Sequence, residues 1–260
     1  MGEPLMNNDN NNGTCAAAVK TFVRNRYFYG KLLDVLHFEL EQNYFNSKRW
    51  LINRLVLGYG VVCGLDLKVG PDQASVIVQP GIAIDKGGRE VIVPIASQPV
   101  PLPQLPPTPP SGECPDDANC FNLVLCYHEC QGDPSPAMGG DCDQNAICSP
   151  GSIRERYELH FRQGKLPEPS TDCPVADLVS GNRINYQALA QYVSAPCPEC
   201  PEDPCIPLAN VHVPAGGAPL TIDNIDIGVR YVVFTLDLLH DLMVCLTNKT
   251  AAEHVRGGKS

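Results

Sequence analysis

The chain is poor in aromatic side chains, poor in charge, and carries a single tryptophan: 7% aromatic, 18% charged, with 19 Lys and Arg against 29 Asp and Glu. Trp50 lies inside a helix-patterned stretch, which weighs against a sugar-stacking platform built on tryptophan. The formal charge of −10 argues against a nucleic acid as partner, because binding a phosphate backbone needs clustered Lys and Arg to release counterions. No apolar run approaches membrane-spanning length, so direct membrane insertion is not expected. The start, MGEPLMNNDNNNGT, lacks a hydrophobic signal core and has no Ser or Thr at position 6 of a myristoylation signal, so the chain is expected to be made and kept soluble. No internal repeat with a fixed period is present.

What the chain does have is 260 residues with 43% apolar content, enough for one large or two small domains with a real core. Its most informative stretch is RNRYFYGKLLDVLHFELEQNYFNSKRWLINRLVLGYGVVCGLDL, residues 24–67. Asp34 is placed to cap a helix over 34–57, and Leu36, Leu40, Tyr44, Leu51 and Leu55 fall near one face of it. A second apolar row, Phe38, Phe45 and Ile52, runs beside the first at seven-residue steps. Glu39 and Glu41 precede Lys48, Arg49 and Arg54, a polarity that suits the helix macrodipole, and Gly58 is a natural stop. So wide an apolar sector is more than one partner surface covers. It fits either a central core helix or a helix in contact with another subunit.

Beyond Gly58 the pattern becomes β. Val61 to Val69 reads as a strand, GPDQ at 70–73 as a turn, and SVIVQ at 75–79 as its return. GIAIDKGGREVIVP, residues 81–94, reads as a second hairpin, with Asp85-Lys86-Gly87-Gly88 supplying the turn and a positive φ expected at Gly87, Gly88 or both. Prolines crowd residues 99–111, which are expected to form an extended strap with no helix or inner strand. Further strands are expected at FNLVLCY (121–127), RYELHF (157–162), IPLANVHV (206–213) and LTIDN (220–224), and a short helix at Tyr186–Val193. A last short amphipathic helix, with Leu236, Leu239, Met243 and Leu246 at three- and four-residue steps, is expected to pack on the sheet. The fold class is therefore α+β, mainly antiparallel β, with one long N-terminal helix and a short C-terminal one.

Cysteine is the conspicuous excess: thirteen, an odd number that leaves at least one thiol unpaired within the chain. Six lie between Cys114 and Cys148, and CPECPEDPC brings Cys197, Cys200 and Cys205 together. Those three with Cys173, or with His212 in its place, form a candidate structural zinc set; disulfides and free buried thiols are the alternatives, and spacing does not choose among them. Cys126, His128 and Cys130 alternate on one side of a strand, a second candidate trio or simply small residues on a covered face. GYGVVCG follows a helix and precedes a strand, the reverse of a dinucleotide fingerprint. DCDQNA at 141–146 has Ala146 where a calcium loop needs Gly. Asp223 and Asp226 read as turn residues. No nucleophile, base and orienting group can be named together, so the expectation is a protein that is not an enzyme and needs no cofactor beyond a structural zinc.

The order of residues resembles the shoulder of the type VI secretion baseplate adaptor and of phage receptor-binding proteins. The matching stretches are His37-Phe38-Glu39 with Glu41-Gln42 and Tyr44, Gly58 to Leu67, Gly81 to Pro94, Pro99 to Pro110, and Phe121 to Tyr127. The same GKLLxxxHFExEQxYxxxKRxLxNRLxxGxGVVCGL block is similar to one in uncharacterised proteins of contractile-injection and phage-tail-like gene clusters. The resemblance spans residues 24 to 165, and the Cys-rich segments 114–148 and 173–205 lie outside its pattern. It implies a sandwich or barrel-like shoulder domain in a homo-oligomeric, most simply trimeric, structural subunit. Its partners would be itself and baseplate, tube or sheath proteins of a contractile injection system or phage-tail-like particle. Such a subunit would be cytoplasmic during assembly and then part of a membrane-attached or released particle. The alternative is a cysteine-stapled extracellular binding module. The expected organisation is a disordered tail at 1–20, a helix-plus-shoulder domain at 21–165 with the strap at 99–111 and the Cys-rich insertion at 114–148, and a Cys-rich loop with a C-terminal β/α part at 166–260. Leu36, Leu40, Tyr44, Leu51 and Leu55 are the candidate assembly interface.

Overall fold

A computed structural model describes residues 21–105, 119–136, 148–171, 179–180 and 183–257. The expected tail at 1–20, the strap beyond Leu105, and Cys15, Cys114, Cys142 and Cys173 lie outside the described residues. The chain forms α1 (Val35–Ile52), β1 (Gly60–Gly64), β2 (Leu67–Val69), β3 (Ser75–Val78), β4 (Gly81–Ile84), β5 (Glu90–Val93), β6 (Val100–Pro101), β7 (Cys120–Pro136), β8 (Cys148–Gln163), β9 (Val179–Ser180), β10 (Arg183–Ile184), α2 (Tyr186–Val193), β11 (Ile206–His212), β12 (Ile225–Asp226) and α3 (Leu236–Gly257). Strand pairing is antiparallel throughout the named sheets, which gives the α+β, mainly antiparallel class expected from the sequence.

Two three-stranded sheets, β1-β4-β5 and β2-β3-β6, share one core with a four-stranded sheet of order β12-β11-β7-β8. Val61, Ala83, Val91 and Val93 from the first, Leu67, Val76 and Val78 from the second, and Leu123, Leu125, Leu208 and Val211 from the third meet in that core. The strand expected from Val61 to Val69 is broken in two. Gly64 and Leu65 take φ of +68° and +56°, and a Cβ at Gly64 would sit 2.2 Å from the Pro80 carbonyl oxygen. The bend moves the chain from the first sheet to the second and drives Leu65 fully into the core, a burial that offsets the strain of its left-handed backbone. Across the seam, Arg230 donates to the carbonyls of Leu65 (2.9 Å) and Leu208 (2.5 Å).

The β4–β5 hairpin forms as expected, and of its two glycines Gly88 is the one with positive φ, +91°. Its turn is built on Asp85, which is fully buried. The Asp85 carboxylate accepts from Gly87 N and Arg89 N, each at 2.8 Å, and from Arg89 Nε at 2.7 Å. Burial pushes the Asp85 carboxyl above the usual carboxylate range, with the Arg89 guanidinium opposing it. Arg89 in turn lies over the Tyr127 ring, 4.6 Å from its centroid, and so ties the turn to β7.

Three expectations need correction. The strands expected at 121–127 and 157–162 are much longer, pairing from Phe121 opposite Gln163 out to Pro136 opposite Cys148. Gly132, Pro134 and Pro150 read as loop because they break apolar alternation, yet a two-stranded arm needs only cross-strand pairing, and Asp133 supplies some of it to Arg154 and Ser152, each at 2.5 Å. LTIDN is no strand: Ile222–Asn224 is a turn of 3-10 helix, capped by Thr221, before β12. The C-terminal helix runs on past Leu246 to Gly257, and Leu236, Leu239, Met243 and Leu246, expected to pack on the sheet, are exposed.

Candidate assembly surface

The helix α1 starts where the sequence places it. Asp34 caps it, its carboxylate accepting from His37 N at 3.2 Å while His37 Nδ1 faces Asp34 N at 3.4 Å. Past Ile52 the helix widens into a π-helical turn, Asn53–Leu57, and stops at Gly58 with φ of +82°. The body grips only this end. Asn53, the one buried residue there, donates from Nδ2 to Gly88 O and to Glu90 Oε1, both at 2.8 Å. Arg49 Nε lies 3.2 Å from Glu90 Oε1, and Gly88 comes so close to the helix that a Cβ there would meet Trp50 O at 2.1 Å.

From Val35 to Ile52 no residue of α1 is buried. Of the expected interface, Leu36 is 71% exposed, whereas Leu40, Tyr44, Leu51 and Leu55 are half-buried. Segment 21–34 folds back along that flank: Phe22 stacks edge-on against Tyr44 at 6.4 Å, Lys48 lies 4.7 Å from the centre of the Phe22 ring, and Tyr27 hydrogen-bonds Glu41. The row left more open is the seven-residue one, Phe38, Phe45 and Ile52, with Phe45 at 61% exposure. Across an open cleft of about 760 Å³ Phe45 faces Ile153 and Glu155 on the β7–β8 arm.

The C-terminal helix presents a second bare surface. Leu238 N bonds Thr235 Oγ1 at 3.2 Å to cap its start, and Leu236, Met243 and Leu246 then stand in solvent, Leu236 at 85% exposure. The segment leading into this helix is fixed on β1: Val61 pairs in parallel with Val232, with Val61 N bonded to Tyr231 O (2.8 Å) and Val233 N to Val61 O (3.0 Å). Tyr59 stacks on Tyr231 at 4.8 Å there, and burial together with the hydrogen bond to Tyr231 pushes the Tyr59 hydroxyl up to about 12. Val56, Leu57, Val232 and Phe234 are exposed around this junction.

Among the described residues the candidate zinc cysteines are not gathered as a set. Cys205 is bonded to Cys126 and Cys200 is also in a disulfide, so neither sulfur is a thiolate available to an ion, whereas Cys197 is an exposed thiol. His212 is exposed at the far end of β11 from Cys205. The alternation of Cys126, His128 and Cys130 likewise makes no ligand trio: His128 faces Glu158 at 3.4 Å, and Cys130 carries no disulfide. Among the described residues no three His, Cys, Asp or Glu side chains group as a metal site. The bridge from β7 to the segment entering β11 was hidden from spacing because it joins positions 79 residues apart. Arg162 flanks it, 4.0 Å from Cys126 Sγ, and holds Asp203 in a two-point ion pair. That pair keeps the Asp203 carboxyl below the usual range. Among the described residues no helix is long and apolar enough to cross a membrane. Asp226 serves a turn, its carboxylate accepting from Gly228 N at 2.8 Å.

No family model matches the chain, and no curated protein matches it. Among solved structures, a crystal structure of TssK aligns with it at 12% identity and a TM-score of 0.38, over 78% of this chain and 43% of the other. The chain thus spans less than half the length of that protein.

Proposed function

We propose that the chain is a structural or adaptor subunit of a contractile injection system or phage-tail-like particle, a baseplate or tail-end component that assembles with itself and with baseplate, tube or sheath proteins. The observation that carries the reading is α1: eighteen residues with an apolar row and not one buried side chain. In proteins most helical stability comes from packing an apolar face. Its face therefore calls for a partner. The sequence block shared with contractile-injection clusters points to the kind of particle, and the absence of any grouped nucleophile, base and orienting residue in the sequence favours a structural over an enzymatic role. Light scattering on purified chain at micromolar concentration tests the self-assembly: a defined homo-oligomer, trimer first, is expected, and a strict monomer overturns it. Mass spectrometry of purified particles from a producing strain tests the setting.

The Cys126–Cys205 bridge favours a second reading, a disulfide-stapled extracellular binding module. An oxidised monomer that is absent from particles would support it over the first.

A further inference from the structure

The segment entering α1 forms a pocket of about 530 Å³ whose lining includes Arg24, Asn25, Arg26, Phe28, Lys31 and His37, with Leu40 as part of its apolar surface. On a chain of net charge −10, three cations converging on one cavity is a local reversal of sign. Arg24 and Arg26 make no ion pair among the described residues. Two acids of the neighbouring helix are engaged: Asp34 caps α1 and faces His37 at 2.5 Å, and Glu41 accepts from Tyr27. Lys31 holds the pocket's shape, donating to Asn25 Oδ1 and, at 3.2 Å, to Arg26 O. That leaves Asn25 Nδ2 as a buried donor with no hydrogen-bond partner, the one such side-chain atom among the described residues. An orphaned buried donor costs free energy, and here it shares a cavity with the donor groups of Arg24, Arg26 and Lys31. Gly30, with φ of +83° and open space where a Cβ would point, makes the turn after Phe28, an exposed apolar side chain that lines the pocket.

We infer that this pocket binds an acidic peptide segment of a partner protein, taking one carboxylate between Arg24, Arg26, Lys31 and Asn25 Nδ2, with the apolar neighbours of that carboxylate resting on Phe28 and Leu40. A carboxylate supplies the acceptor lone pairs that Asn25 Nδ2 lacks and a counter-charge for Arg24 and Arg26, and guanidinium groups bind it in two-point geometry. The apolar rim is what distinguishes a peptide from a free anion.

Fluorescence anisotropy on the full chain, with a labelled peptide of alternating Leu and Glu and its Leu-Gln counterpart, tests this. Saturable binding of the Glu peptide and at least tenfold weaker binding of the Gln peptide are expected. Arg24→Ala with Arg26→Ala should lose at least tenfold, Asn25→Ala about threefold, and Phe28→Ser should weaken the peptide without changing competition by inorganic phosphate. These side chains lie off the core, so circular dichroism should be unchanged. Equal affinity for the Glu and Gln peptides, or phosphate binding with no peptide binding, overturns the proposal. Retention of full affinity in the double arginine variant overturns it as well.

Discussion

Replacing Gly88 by valine tests the junction on which the placement of α1 depends. At φ of +91° a β-branched side chain is strained by about 1–2 kcal/mol. Its Cβ would lie 2.1 Å from Trp50 O, against backbone that cannot swing aside as a side-chain tip can. The helix end must therefore move off the hairpin, and Asn53 loses its bonds to Gly88 O and Glu90 Oε1. A buried amide left without partners costs about 1–3 kcal/mol. The sum, about 2–5 kcal/mol, corresponds to a fall in Tm of about 5–15 °C for a chain of this size. Calorimetry reads the loss, and limited proteolysis locates it: Gly88→Val and Asn53→Ala should both open the chain to cleavage near residues 53–60 before the body unfolds. An unchanged Tm in Gly88→Val, within 2 °C by the same scale, would refute the close approach of helix and hairpin.

Two further outcomes follow from the same structure. Cys126→Ser with Cys205→Ser should lower stability by up to about 4 kcal/mol, since the bridge closes a loop of 79 residues, and on reduction the double variant should gain two hydrogens fewer by intact mass than the native chain, in which Cys200 is bridged as well. Identical gains would remove the bridge from the account. In an alkaline titration followed by tyrosinate absorbance, Tyr59 should stay neutral until about pH 12, while Tyr127, held up by burial and by its bond to Glu129, should titrate later still. The neutral form is the one favoured in the folded chain, so the contribution of Tyr59 to stability is whole below pH 10 and is lost as the pH rises through about 12; Tyr59→Phe should remove that delayed step and leave the remainder.

The long helix was legible because its signals are local: an Asp34 cap, an apolar period and a Gly58 stop all fall within one stretch of chain. The β4–β5 hairpin was legible for the same reason, its turn chemistry being contiguous from Asp85 to Gly88. What could not be read was anything decided between distant segments. The outer half of the β7–β8 arm, from Cys130 opposite Arg154 to Pro136 opposite Cys148, pairs Gly, Pro and charged residues across the intervening segment, and neither strand alone alternates. The disulfide left open for CPECPEDPC is realised at Cys205, but with Cys126 as its partner, which a Cys-x2-Cys spacing could not name. The interface row was half legible: the five residues with the best helical phase include four that segment 21–34 or the body half covers, while Phe38, Phe45 and Ile52 stand open. The pocket at Arg24, Asn25 and Arg26 left a trace in the sequence as cations interleaved with aromatics in RNRYFYGK, but convergence needs the turn at Gly30.

The bare helices set the energetic scale for assembly, and with it a last expectation. Leu36, Phe38, Phe45 and Ile52 on α1, with Leu236 and Met243 on α3, are six large apolar side chains each more than half exposed. Covering such a side chain fully is worth about 1.5–3 kcal/mol, so removing even half of that surface from water contributes about 5–9 kcal/mol. That is comparable to the whole folding stability of a typical domain, about 5–15 kcal/mol. Burial between copies would then be inseparable from the stability of the fold itself. Mass action makes this measurable: the Tm should rise with protein concentration between about 1 and 100 μM, because the assembled state is the one that dilution removes. Phe45→Asp, which leaves the Asn53 and Gly88 anchor untouched, should abolish that dependence and leave the Tm at its dilute value. A Tm independent of concentration in the unaltered chain would mean that these rows stay in water, and that α1 is held by its C-terminal anchor and by segment 21–34 alone.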